Sequence, residues 1–397
     1  MNKKTIRDIA VKGKKILTRV DFNVPLDRKN NDITDDTRIR AELPTVEYLI
    51  KNNAKIILCS HLGRPDGQVV SELRLAPVGE RLSELIKRPV RTLDDCIGLE
   101  VEKAINKLKE GEIVLLENLR FHSGEEKNDP EFARALSRLG DIFVNDAFGL
   151  AHRAHASNVG ITGYLPSVAG FLMQKEIDML GSVLDNPVRP LLALVGGAKV
   201  SDKIKLLDHI MDKVDVLLVG GGMMSTFIKA KKQRIETVTE EDEVKTARRL
   251  LDKAEQSRAR MVLAVDAVIA DNIAENANIK TVPLEQIEKG WKIADIGPGT
   301  IEIFSAEIEK CKTAVWNGPM GVFEISEFSN GTKSIANVMA NIKATTIICG
   351  GSTGEAVQAF GLADKMSHVS TGGGASLRFL EGEILPGVAA LEDRGQK

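Results

Sequence analysis

The stretch LLALVGGAKVSDKI, residues 191–204, decides how the chain is read. Its five leading apolar residues, Leu191–Val195, have the length and composition of a buried strand. Gly196 and Gly197 follow, then Lys199, Ser201, Asp202 and Lys203. Apolar residues return at Ile204, Leu206, Leu207 and Ile210 with helical spacing. The order is strand, glycine turn, helix, with two lysines where the helix begins. A helix N-terminus carries partial positive charge and disfavours lysine. A bound polyphosphate reconciles the two, because backbone N–H groups and both ammoniums then point at the same oxygens. The same order also fits an ordinary strand-to-helix turn with solvated lysines.

Bulk properties frame that choice. At 397 residues the chain exceeds the size at which one core stops growing, so two domains are expected. Its apolar and charged fractions are those of a soluble globular protein. A net charge of -2, without strong bias in either half, argues against nucleic-acid binding as the main activity. Cys59, Cys96, Cys311 and Cys349 lack CxxC spacing and read as buried thiols of a reducing compartment. With no apolar leader and no run of about 18 apolar residues, a cytoplasmic protein without membrane contact is expected.

Outward from 191–204, short apolar runs alternate with helical patterns. Strands are predicted at 16–20, 55–59, 113–116 and 142–144, then at 191–195, 214–219, 261–265, 314–316 and 345–349. Helices are predicted at 38–53, 99–109, 131–139, 201–211, 241–257, 300–310 and 328–341. Such alternation builds right-handed βαβ units and parallel sheets. Nine strands exceed one short sheet. The expected fold is therefore α/β, two doubly wound parallel-sheet lobes joined by a hinge helix over 167–185. The expected lobes are 1–170 and 171–374.

Ligands of open parallel sheets sit at the carboxyl ends of strands. In the first half those ends deliver Asp21-Phe22-Asn23, His61-Leu62-Gly63-Arg64, Arg120, and His152-Arg153. Arg38 opens the helix after Thr34-Asp35-Asp36. Together Arg38, Arg64, Arg120 and Arg153 would form a cationic pocket for a small, highly charged anion, since guanidinium forks match phosphate and carboxylate oxygens. In the second half the ends are glycine-rich: 196–197, 220–222, Asn317-Gly318 and Gly350-Gly351-Ser352-Thr353. Glycines let phosphates approach the backbone, which suits a nucleotide. The dinucleotide fingerprint and the P-loop are both missing, and the histidines lack zinc-ligand spacing.

At this point the chain resembles the phosphoglycerate kinases over essentially its whole length. The matching segments are RVDFNVPL at 19–26, DDTRIRA at 35–41, SHLGRP at 60–65, LLENLRF at 115–121, VNDAFGLAHRAHAS at 144–157 and GGAKVSDKI at 196–204. GGGM at 220–223, WNGPMGVFE at 316–324 and HVSTGGGASLRFLEG at 368–382 complete them. The resemblance implies Mg2+-dependent, reversible phosphoryl transfer from 1,3-bisphosphoglycerate to ADP, giving ATP and 3-phosphoglycerate, by a monomeric glycolytic enzyme. By position it implies a triose-phosphate set of Asp21, Phe22, Asn23, Arg38, His61, Leu62, Gly63, Arg64, Arg120 and Arg153. It implies a nucleotide set of Gly197, Lys199, Lys203, Gly221, Asn317, Glu324, Gly350, Gly351, Ser352 and Thr353, with Glu324 on the ribose hydroxyls. Arg38, Lys199 and Lys203 would be catalytic, and the tail 375–397 would return to the first lobe. The family usually has Asp where this chain has Ser352, whose hydroxyl is then the candidate Mg2+ ligand; Cys349 replaces a usual glycine. The acceptor oxygen of such a transfer is already ionised, so no general base is assigned, and His61 and His152 read as binders.

Overall fold

The computed structural model describes residues 2–27, 29–231 and 241–395. Two units divide it: Met1–Asp178 with Ile384–Lys397, and Met179–Glu383. In the first, β1 (Lys15–Arg19), β2 (Lys55–Cys59), β3 (Val90–Thr92), β4 (Ile113–Leu115), β5 (Ile142–Asn145) and β6 (Ser167–Ala169) form a parallel sheet ordered β3-β4-β2-β1-β5-β6. Alternate strand residues feed two cores. Ile16, Ile56, Leu58, Ile113 and Val144 join Val46 and Leu49 of the helix Thr37–Lys51. Leu17, Ile57, Val114 and Phe143 join Val101 and Ile105 of the helix Leu99–Asn106 and Phe132 and Leu136 of the helix Pro130–Ser137. A strand buried on both faces is apolar at most positions, and it needs helices on both sides.

The second unit contains β7 (Leu191–Val195), β8 (Val216–Val219), β9 (Arg260–Leu263), β10 (Asp266–Ala270), β11 (Ile279–Pro283), β12 (Lys292–Ile296), β13 (Thr313–Asn317), β14 (Thr345–Cys349) and β15 (His368–Val369). Six of them make a parallel sheet ordered β15-β14-β13-β7-β8-β9. Leu192, Leu194, Leu218, Ala314, Trp316 and Ile348 share one hydrophobic core of this unit. The two doubly wound parallel-sheet units match the α/β class read from the sequence.

Three expectations need correction. The run 261–265 is not one strand: β9 ends at Leu263 and the chain switches into a separate antiparallel sheet, β11-β10-β12. Asp266 makes the switch, its carboxylate accepting from the N–H groups of Gly299 (2.9 Å) and Thr300 (2.8 Å) at the start of the helix Pro298–Ile308. Second, the hinge helix begins at Phe171, not 167, and runs to Asp185, with the division between units falling inside it after Asp178. Ser167–Ala169 instead pairs with Phe143–Asn145 as β6, and at Gly170, which follows it, a Cβ would sit 2.2 Å from the Asp146 carboxylate. Third, the tail joins the first unit at Ile384 rather than 375. The helix Gly374–Leu380 stays in the second unit, where Lys205 pairs with Glu383 at 2.9 Å and Gly382 lies against His209. From there Gly387 donates to the Ala151 carbonyl (2.8 Å) and Glu392 to that of Ser167 (3.0 Å).

Candidate functional site

In the first unit the polar groups gather beyond the carboxyl ends of β1, β2, β4 and β5. Arg38, in the first turn of the helix Thr37–Lys51, donates from Nη1 to Asp21 Oδ2 at 2.6 Å. Asn23 Oδ1 accepts from the Gly63 N–H (2.9 Å), and Arg120 donates to the Gly63 carbonyl (2.8 Å). Arg120 also faces Glu126 Oε1 at 3.2 Å, and Arg153 lies 4.0 Å from the same oxygen. A carboxylate thus stands against each of these three guanidiniums.

His61 is buried and accepts from the guanidinium of Arg19, whose Nη2 is 3.1 Å from His61 Nδ1. Arginine has donors only, so Nδ1 is the acceptor and the ring proton belongs to Nε2. Burial, then the charges of Arg19, Arg120 and Arg38, push the His61 pKa well below the usual histidine range. His155 is driven down to about 4 by burial and by the charges of Arg19, Arg120 and Arg153. Both imidazoles are neutral near pH 7 and offer hydrogen bonds rather than charge.

Sequence reasoning passed over Arg19, which is fully buried. Its Nε donates to Ser157 Oγ (2.9 Å), its Nη1 to the Val20 carbonyl (2.5 Å), and Glu125 lies 4.0 Å away. The signal was available: strand alternation puts Arg19 on the same face as Leu17, and a charge there needs buried acceptors. Phe22 and Leu62 fall in the apolar core, and their N–H groups are taken by Ser60 Oγ (2.9 Å) and Asn118 Oδ1 (3.2 Å). Arg64 follows Gly63 and is exposed. The structure draws Arg38, His61, Arg120 and Arg153 into one field and places Arg64 beside it by chain position.

In the second unit, backbone meets backbone at three strand ends. A Cβ on Gly318 would lie 2.1 Å from the Gly196 carbonyl oxygen, one on Gly196 2.3 Å from that of Pro319, and one on Gly221 2.6 Å from the Gly197 nitrogen. Only glycine allows that closeness, and it leaves a shallow floor of main chain. Lys203 reaches over it from the turn Ser201–Lys203, donating to Asn317 Oδ1 at 2.5 Å. Burial lowers the Lys203 pKa against the opposing pull of Asp202 and Glu381. Asn317 keeps a buried Nδ2 with no acceptor, a donor that phosphate oxygen would satisfy. Gly350, at φ +92, turns the chain into the helix Gly351–Ala359. Thr353, in that helix, ties down the Gly318 N–H at 2.8 Å. Ser352, Lys199 and Glu324 are exposed. Ammonium, amide and hydroxyl groups suit phosphate oxygens and do not form a carboxylate cage for a bare dication.

A family model described as phosphoglycerate kinase matches residues 6–383. The phosphoglycerate kinase of Rippkaea orientalis is 53% identical over 99% of this chain and 100% of its own length. That of Gloeothece citriformis is 52% identical over the same shares. Among solved structures, phosphoglycerate kinase from Coxiella burnetii superimposes with a TM-score of 0.88 at 39% identity, covering 98% of both chains. The Pyrococcus horikoshii enzyme does so at 0.84 and 33%, again over 98% of both. Similar along nearly its whole length in both sequence and backbone, the chain belongs to the phosphoglycerate kinase family.

Proposed function

We propose that this chain transfers a phosphoryl group reversibly from 1,3-bisphosphoglycerate to ADP, giving ATP and 3-phosphoglycerate, as a monomeric glycolytic enzyme of the cytoplasm. The observation that carries the reading is the pairing of three cluster guanidiniums with carboxylates that a bound anion would displace: Arg38 with Asp21, Arg120 and Arg153 with Glu126. Four buried thiols accord with a reducing compartment. The triose-phosphate would occupy the first unit, with Asn23 and the His61 Nε2–H donating to its oxygens. The nucleotide phosphates would lie on the glycine floor beneath Lys203, with Glu324 toward the ribose.

Neither direction of the reaction needs a general base, because carboxylate and phosphate oxygens attack as anions. Catalysis is positioning plus neutralisation of the phosphoryl oxygens in flight, by Arg38 and Lys199. Donor and acceptor must meet in line and away from water, which requires closure of the two units on each other. A coupled assay for ATP formation from 1,3-bisphosphoglycerate and ADP tests the proposal. Turnover with another acyl phosphate, but not this one, would replace it with a related small-acid kinase; none at all would leave a nucleotide-binding protein without catalysis.

Two predictions arise at the nucleotide floor. Lys203→Ala should raise the nucleotide KM by about 10- to 100-fold with a smaller change in the 3-phosphoglycerate KM; an unchanged nucleotide KM would remove Lys203 from that site. The Mg2+ enters as part of the nucleotide substrate, held by phosphate and water, since Ser352 brings a hydroxyl without charge. Ser352→Asp should therefore lower the Mg2+ concentration giving half-maximal rate, by about threefold or more. An identical Mg2+ titration in the variant would refute this account of the metal.

A further inference from the structure

Two carboxyl groups outside the substrate cluster lie fully buried against each other. Glu42 sits one turn after Arg38 on the helix Thr37–Lys51, and its Oε1 accepts from the Asp21 N–H at 2.9 Å. Asp146 follows β5, and its Oδ1 accepts from the Met173 N–H at 2.9 Å, capping the helix Phe171–Asp185 from another part of the chain. Each keeps one buried oxygen, Glu42 Oε2 and Asp146 Oδ2, with no N–H or O–H of the protein donating to it. The two side chains are within hydrogen-bonding reach of each other. Two carboxylates in that position would repel in a medium that screens poorly. A proton between them converts one into a donor and satisfies both orphaned oxygens.

We infer that Glu42 and Asp146 share a single proton and act as a positioning pair, fixing the Arg38 helix and the Asp21 strand end against the first turn of the helix Phe171–Asp185. The surroundings favour retaining that proton. The nearest charges on the packed elements are Asp21, itself an anion, with Arg38 engaged by it. Glu176 is buried farther along the capped helix. Arg7 stacks its guanidinium on the Phe171 ring at 4.6 Å; Thr45 accepts from the Phe171 N–H at 2.9 Å, and its hydroxyl also hydrogen-bonds Asp146, a pull toward the carboxylate that burial outweighs. None of these is a cation set against the two carboxyls. Burial raises both pKa values, that of Glu42 well above the carboxylate range. The pair's kinetic role rests on the function proposed above; its proton does not.

The decisive variant is Glu42→Gln in the full chain. Its amide nitrogen donates to Asp146 permanently and its amide oxygen still accepts from Asp21. Infrared absorption at neutral pH should show a protonated-carboxyl carbonyl band in the wild type that Glu42→Gln and Asp146→Asn both lack. A carboxyl that binds its proton more tightly when folded contributes stability that is complete below its unfolded pKa and is lost as pH rises through the folded one. The wild type should therefore lose Tm relative to Glu42→Gln as pH rises above the ordinary carboxylate range. A band that survives in both variants, or a Tm difference flat with pH, would overturn the shared proton. Glu42→Gln should retain kcat/KM for 3-phosphoglycerate within about threefold, whereas Glu42→Leu should raise that KM about tenfold or more with less effect on the nucleotide KM. A Leu variant with wild-type KM would overturn the positioning role; if Leu does not fold, a Gln variant whose 3-phosphoglycerate KM rises tenfold would do the same. Should the wild type show no turnover, the proposed function fails while spectrum and Tm still judge the pair.

Discussion

Arg38→Ala is expected to lower kcat about 10³-fold or more, in the range seen when an arginine that neutralises a phosphoryl group in flight is removed. The side chain sits in the first turn of its helix, 38% exposed, bound to Asp21 at 2.6 Å. Deleting it opens no core cavity. It leaves Asp21, only 7% exposed, without its cation, a loss of about 1–3 kcal/mol that a two-unit protein of this size should survive. Stability and rate should therefore separate: a Tm close to wild type with chemistry almost gone. Arg38→Lys keeps a charge but loses the planar fork, and should recover only part of the rate. The diagnostic is how the loss divides. If kcat stays within about tenfold of wild type while the 3-phosphoglycerate KM rises, Arg38 binds the ground state and is not the transferring cation.

The parts of this arrangement that could be read from sequence share a physical cause. Strands buried on both faces are continuous apolar runs, so 55–59 and 191–195 stand out as observed in β2 and β7. Once strand ends are known, the rule that parallel sheets bind at their carboxyl ends points to His61 and Arg120 directly. What escaped was set by tertiary contact. Strand β11 is half exposed, with polar residues alternating, and resembles a loop. Ser167–Ala169 is too short for its apolar residues to be told from the start of the following helix. Glu42 sits in a helical pattern where an acid is normally solvated, and only packing against Asp146 puts it inside. Lys203 and Asn317 are 114 residues apart, and no local pattern joins them. Their pairing could be expected only through the family resemblance.

Gly318→Ala should be the most damaging single methyl in the second unit, destabilising it by about 3–5 kcal/mol. Two penalties coincide. Gly318 lies at φ +95, where an L side chain is strained, and its Cβ would fall 2.1 Å from the Gly196 carbonyl oxygen and 2.5 Å from its carbon. Neither neighbour is the end of a flexible side chain. Both belong to main chain at the ends of β13 and β7, paired in register from Thr313 with Leu191 to Asn317 with Val195. Relief must come from moving one strand end off the other. That motion breaks the Gly196 N–H bond to the Asn317 carbonyl (2.9 Å) and the Gly318 N–H bond to Thr353 (2.8 Å). It also carries Asn317 away from Lys203, so kcat/KM for the nucleotide should fall about 10²-fold, as for a displacement of about 1 Å in a positioned group. Gly354→Ala is the control. Gly354 lies inside the helix Gly351–Ala359, its Cβ would meet Val369 at an ordinary 3.5 Å, and alanine there should be neutral or stabilising by up to about 1 kcal/mol. If both variants unfold within about 1 kcal/mol of wild type, the main-chain contact between the two strand ends is not what shapes the nucleotide floor.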